Sequence, residues 1–114
     1  MVHEASCIKI DKELPLDKAC LLGCGVVTGW GSAVYAAQVQ PGDTVAVVGC
    51  GGIGSNAIQG ARLAGARVIA AIDPIEFKRE KAMEFGATVT HASIQDALAA
   101  LPEDTWSRGF DKVI

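Results

Sequence analysis

The segment that most limits how this chain folds is Thr44-Val45-Ala46-Val47-Val48 followed at once by Gly49-Cys50-Gly51-Gly52-Ile53-Gly54. A short apolar run rich in β-branched residues, with no polar alternation, is the pattern of a strand covered on both faces. Four glycines in the next six residues permit a turn too tight for most side chains. Beyond them, Ile53 to Ala66 reads as a helix with Ile53, Ala57, Ala61 and Ala64 on one face, and Gly65 is its stop signal.

The same alternation then repeats. Arg67 to Ile72 reads as a second buried strand ending at Asp73. Pro74 fits the first turn of a helix that runs to Phe85, because its missing N–H is unpaired there anyway, and Gly86 ends that helix. Ala87 to His91 reads as a third strand, Ser93 to Leu101 as a helix, Pro102 to Gly109 as a loop, and Phe110 to Ile114 as a fourth strand. The order from Thr44 is βαβαβαβ. That predicts an α/β fold with a doubly wound parallel sheet of about four strands, a partial Rossmann domain over residues 44–114.

Residues 1–43 carry weaker signals. Ser6 to Ile10 alternates as a short strand, Asp11 to Pro15 is a turn, and Leu16 to Leu22 is a short helix broken by Gly23-Cys24-Gly25. Thr28 or Ser32 then caps a second helix over 30–39, whose apolar residues are mostly small. Gln40-Pro41-Gly42-Asp43 separates this front from the sheet.

Composition bounds the function. The chain has 114 residues, enough for one domain, and is half apolar with 13 glycines. A net charge of −3 gives no footprint for nucleic acid. No apolar run approaches the ~18–20 residues of a membrane span. Met1 to Ile10 lacks the continuous apolar stretch of a signal peptide, so a cytoplasmic protein is expected. The four cysteines, Cys7, Cys20, Cys24 and Cys50, have no C-x-x-C spacing and read as thiols or metal ligands rather than a disulfide frame.

The glycine turn matches G-x-G-x-x-G, follows a strand, opens a helix, and is trailed 19 residues beyond Gly54 by Asp73 at the end of the next strand. Together these meet the dinucleotide fingerprint. Gly49 allows the sharp turn, Gly51 lets a pyrophosphate approach the backbone, and Gly54 lets the helix pack close to the strand. The helix N-terminus favours the phosphate charge. Asp73 suits the adenosine ribose hydroxyls and would repel a 2′-phosphate, which favours NAD over NADP. Two other readings stand beside this one: a tight turn with no ligand, and the glycine-rich turn of an S-adenosylmethionine-dependent methyltransferase.

Cys20-Leu21-Leu22-Gly23-Cys24-Gly25, Thr28-Gly29-Trp30-Gly31-Ser32-Ala33, Pro41-Gly42-Asp43-Thr44 and the Gly49–Gly54 turn together resemble the zinc-containing medium-chain alcohol dehydrogenases. The resemblance runs in register from about His3 to Ala87 and continues less specifically to Ile114. Gly29 to Ala37 and Asp73 to Glu80 look most like an actinobacterial branch that includes nicotinoproteins, which hold their cofactor tightly and are assayed with a nitrosoaniline acceptor.

The resemblance implies roles. Cys24 falls on the family's catalytic-zinc cysteine and Thr28 on a residue beside the nicotinamide. Gly49, Gly51, Gly52, Ile53 and Gly54 fall on the phosphate turn, Asp73 on the ribose carboxylate, and Lys78 on a lysine reaching the same ribose. Cys20 matches a family cysteine without a catalytic role, and Cys50 occupies a variable position that reads as packing. Without the resemblance, Glu76, Lys78, Arg79, Glu80 and Lys81 are a solvated helix face, and Trp30 and Trp106 are packing residues.

Residues 1–43 would then link a catalytic domain to the cofactor domain. The resemblance implies NAD and Zn in a complete enzyme that oxidises a primary alcohol to an aldehyde. The further ligands of the family's zinc site, and the second half of its nucleotide fold, have no counterpart in this sequence. The expectation is therefore a cofactor-binding portion without activity of its own, prone to self-association through Phe110–Ile114. The alternative is a stand-alone nucleotide-binding module. Neither nucleic acid nor a membrane is expected as a partner.

Overall fold

The computed structural model describes residues 1–101 and 109–114. Trp106 and most of the loop expected over Pro102–Gly109 lie outside the described residues. Four strands, β1 (Thr44–Val48), β2 (Val68–Ile72), β3 (Val89–His91) and β4 (Lys112–Val113), form one sheet in the order β3-β2-β1-β4. Every pairing is parallel, with Val45 opposite Ile69 and Lys112, and Ala70 opposite Val89. This is the doubly wound α/β arrangement expected from the alternation of elements.

Helix α1 (Leu16–Ala36) precedes the sheet; α2 (Gly52–Leu63), α3 (Glu76–Phe85) and α4 (Ile94–Ala99) connect its strands. One face of the sheet contributes Val45, Val47, Ile69 and Ala71 to a core completed by Ala33, Ala57, Ile58, Ala61 and Ala82. The opposite face carries a smaller cluster of Ala46, Ile72 and Ala97, with Phe110 packed on it. The crossovers therefore change faces between β1 and β4. Ligands of open α/β sheets bind at the carboxyl ends of the strands at such a switch point. The Gly49–Gly54 turn leaves β1 there.

The main departures from expectation lie in the front. Gly23 and Gly25 do not break a helix: Leu16–Ala36 is one continuous helical run, with wide π-turns at Leu22–Val26 and Ser32–Ala36. Each glycine costs about 1 kcal/mol against alanine in a helix. Packing against α2 outweighs that cost, because Gly29 and Ala33 are buried there. The run ends at Ala36 rather than continuing over 30–39, and Gln38 takes a positive φ of 51°. Thr28 and Ser32 lie inside the helix instead of capping it, and the Ser32 hydroxyl donates to the Thr28 carbonyl at 2.7 Å.

Continuity also overturns the expectation that no apolar segment is long enough for a membrane. The run has 21 residues with a hydropathy of 1.4. By length and composition alone it suffices to cross one.

Ser6–Ile10 is not a strand. A single 3-10 turn over Glu4–Ser6, capped by the His3 ring accepting from the Ala5 amide, is the regular structure there. A lone alternating pentapeptide has no neighbouring strand to pair with, and residues 1–18 are all exposed. Pro74 lies before the N-cap residue Ile75 rather than inside α3. Ile53 is half exposed, so the buried face of α2 is set by Ala57, Ile58 and Ala61.

Candidate nucleotide-binding site

The turn between β1 and α2 is built as its glycines require. Gly49 has a φ of +94°, in the region that L side chains rarely adopt. A Cβ on Gly54 would fall onto the Gly49 carbonyl oxygen and lie 3.5 Å from Val47 Cγ1, so only glycine lets α2 start this close to β1. The first helical hydrogen bond runs from Ser55 N–H to Gly51 O at 2.8 Å. The amides of Gly52, Ile53 and Gly54 precede it and have no acceptor within the helix. A Cβ on Gly51 or on Gly52 would meet nothing within 4 Å, so the space in front of this backbone is open.

Asp73 holds the turn from the neighbouring strand. It is buried, at 4% exposure. Its Oδ2 accepts from the Cys50 amide at 2.9 Å and its Oδ1 from the Ile75 amide at 2.9 Å. Lys78 Nζ stands 3.7 Å from Oδ2. Burial opposes ionisation, but the two amides and the Lys78 charge outweigh it and hold the carboxyl below its ordinary value. An ionised acceptor thus lies beside the open helix end.

Cys50 faces the other way. Its side chain is 5% exposed and belongs to the sheet core. Burial, followed by the Asp73 charge, pushes its thiol up, against the opposing pull of Lys78 and Arg79.

Helix α1 meets the same turn. A Cβ on Gly29 would collide with the Ile53 carbonyl oxygen and come within 2.6 Å of Asn56 Cβ. Further along the crossing, a Cβ on Gly60 would sit 3.1 Å from Ala33 Cβ. Gly25 is in contact range of Gly52, with 4.0 Å between its would-be Cβ and the Gly52 oxygen. Cys24 and Thr28 neighbour these contacts on the helix, and both are exposed. The fold therefore groups Gly49–Gly54, Asp73 and Lys78 tightly, and sets Cys24 and Thr28 on the helix that borders them.

Among the described residues, no three His, Cys, Asp or Glu side chains gather as a metal site. One exposed thiol does not make a zinc centre, which needs at least three protein ligands in a catalytic site. The residues present do not hold zinc by themselves.

One participant in the site carries no clear signal in the sequence. Arg79, taken as part of a solvated face, donates through Nη1 to the carbonyls of Asp73 at 2.8 Å and Pro74 at 3.0 Å. A cation in the first turn of a helix opposes the helix dipole, and that was the available signal that it has a specific acceptor. At the other end of β1, away from the glycine turn, Asp111 accepts from both the amide and the hydroxyl of Thr44, at 2.8 and 2.7 Å, and fixes the start of β4 against β1.

Comparison with known proteins settles the family. Residues 52–114 match the zinc-binding dehydrogenase family. This chain belongs to that family. Alcohol dehydrogenase B of Mycobacterium tuberculosis is 51% identical to this zinc-binding dehydrogenase chain over 114 residues, covering 100% of it and 30% of the relative. The NDMA-dependent alcohol dehydrogenase of Amycolatopsis methanolica is 51% identical over 113 residues, covering 99% and 30%. The crystal structure of benzyl alcohol dehydrogenase from Acinetobacter calcoaceticus superposes with a TM-score of 0.78 at 33% identity, over 93% of this chain and 29% of that one. The chain thus spans about 30% of the length of the curated relatives it matches.

Proposed function

We propose that this chain binds the adenosine and pyrophosphate half of NAD for a zinc-dependent alcohol dehydrogenase. The observation that carries the reading is the pairing of an open glycine turn with the ionised, amide-held Asp73 beside it. Gly51, Gly52, Ile53 and Gly54 would present backbone donors to the phosphates, while Gly49 sets the turn. Asp73 would accept from the ribose hydroxyls, and Lys78 would reach the same ribose. A carboxylate at that place repels a 2′-phosphate, which favours NAD over NADP.

In the whole enzyme, NAD supplies the hydride acceptor: a primary alcohol loses a hydride and a proton and becomes the aldehyde. Thr28 would stand beside the nicotinamide, and Cys24 would give one thiolate to the catalytic zinc. The remaining ligands would come from residues outside this sequence. The family relationship supports this small-molecule alcohol or aldehyde substrate and a cytoplasmic location, with residues 1–43 joining the catalytic domain to the cofactor domain 44–114. The packing of Gly29 and Ala33 onto α2 supports reading α1 as part of that fold rather than as a membrane span. The 114-residue chain alone is expected to bind the nucleotide without dehydrogenase activity, since Cys24 would be one thiolate of a zinc site that needs at least three protein ligands.

Calorimetry with ADP-ribose tests the reading. Wild type is expected to bind and Asp73→Ala to bind at least about tenfold more weakly, the loss of hydrogen bonds to a charged acceptor. Equal binding by both would remove Asp73 from the site. Alcohol oxidation with NAD and Zn²⁺ that tracks the purified chain would overturn the expected inactivity.

A further inference from the structure

We infer that Arg79 is a positioning residue for ribose recognition: it clamps the turn that aims the Asp73 carboxylate. The inference rests on the nucleotide-site reading above and extends it to a residue which that reading does not use.

The β2–α3 turn has three elements of restraint. The Asp73 amide donates to the His91 carbonyl at 3.1 Å, which fixes the residue in the sheet. Its Oδ1 accepts from Ile75 N–H, closing the turn from inside. Arg79 reaches back from the first turn of α3 and closes it from outside, with one nitrogen shared between the Asp73 and Pro74 carbonyls.

Two adjacent cations at the start of a helix work against its dipole by about 0.3–1 kcal/mol each when exposed. A specific acceptor nearby offsets that cost. Lys78 has the Asp73 carboxylate, and Arg79 has the two carbonyls. The two cations divide the work: one faces the charge that would meet the ribose, the other holds the backbone beneath it.

The geometry has a consequence for recognition. Both carboxylate oxygens already accept one amide each, and the lone pairs left for a ligand are fixed in direction by those bonds. Without Arg79 the Asp73 and Pro74 carbonyls lose their shared donor, the turn is left to the Cys50 and Ile75 amide bonds alone, and the carboxylate is aligned less sharply. A ligand with the full ribose diol then loses an aligned acceptor, while a ligand lacking the 2′-hydroxyl loses less.

The test compares ADP with 2′-deoxy-ADP on the full 114-residue chain, because the ratio of the two affinities is insensitive to a general loss of fold. Wild type should prefer ADP by about tenfold, the worth of one hydrogen bond to a charged group. Arg79→Met should reduce the preference to threefold or less. Arg79→Lys, which keeps a cation and donors near the same carbonyls, should restore at least half of it on a logarithmic scale. A tenfold preference persisting in Arg79→Met overturns the clamp and leaves the nucleotide site standing. A uniform weakening of both ligands makes Arg79 merely structural and also overturns it. A wild type that binds both equally removes the Asp73 role itself, and the clamp falls with it.

Discussion

The carboxylate of Asp73 and the backbone amide of Cys50 lie 2.9 Å apart across 23 residues of sequence. That one bond ties the end of β2 to the glycine turn after β1. It makes the phosphate turn and the ribose acceptor a single rigid unit, with the open amides of α2 on one side and Lys78 on the other. A buried carboxylate is tolerable here because each oxygen has a donor.

Asp73→Asn should therefore destabilise the chain. A carboxamide offers one oxygen, so its NH₂ group must face either the Cys50 or the Ile75 amide, donor against donor. The expected loss is about 1–3 kcal/mol, read from urea unfolding at pH 7. An unchanged midpoint would mean that the two bonds contribute no net stability.

Acid should erase this difference. The folded Asp73 carboxyl titrates below its ordinary value of 3.8, against burial, because of the Ile75 and Cys50 amides and Lys78. Its contribution is fully present above the unfolded-chain value and is lost as pH falls through the folded value. Between pH 7 and pH 5 the gap between wild type and Asp73→Asn should hold steady, and below pH 4 it should shrink. A gap that stays constant to pH 3 would contradict the lowered value.

Much of the sheet was legible because its signals are local. The run Thr44–Val48 and the stop at Gly86 each act within a few residues, and Gly86 does end its helix, with a φ of 115°. The front was misread for the opposite reason. Gly23 and Gly25 read locally as breakers, yet the helix persists because Gly29 and Ala33 dock on Ala57 and Gly60, which are remote in sequence. The glycine turn and Asp73 could be paired from the sequence by spacing alone. That Asp73 spends one oxygen on the Cys50 amide and that Arg79 closes the turn are tertiary facts, with no periodicity to announce them.

Thiol chemistry should separate the cysteines cleanly. Cys7, Cys20 and Cys24 are exposed and Cys50 is buried, its thiol pushed up by burial and by the Asp73 charge. Thiolate is the reactive form. Titration with an aromatic disulfide at pH 8 should consume three thiols quickly and the fourth only on unfolding. Rapid reaction of all four in the native chain would show that the turn opens.

Two glycines two residues apart, Gly52 and Gly54, should respond oppositely to alanine. Gly54→Ala places a Cβ on the Gly49 carbonyl and should cost about 1–3 kcal/mol or more. Gly52→Ala adds a methyl where nothing lies within 4 Å, at the start of α2, and should be neutral or gain up to about 1 kcal/mol. Thermal melts of the two variants check the contrast. ADP-ribose titration should show Gly52→Ala weakened despite its stability, because that methyl enters the space proposed for the pyrophosphate.

Self-association is the last expectation, and the sheet edge is where it should occur. Among the described residues, β4 pairs only with β1, through Lys112 and Val113, and Val113 is 66% exposed. An edge strand presents unpaired backbone groups to any second strand, and a charged residue on it is a common deterrent. The wild-type chain should show a dimer or larger species in sedimentation velocity as its concentration rises. Val113→Lys should shift that equilibrium toward monomer, because it adds a second charge beside Lys112 on the exposed edge. A wild type that stays monomeric at high concentration would rule the edge out as an association surface.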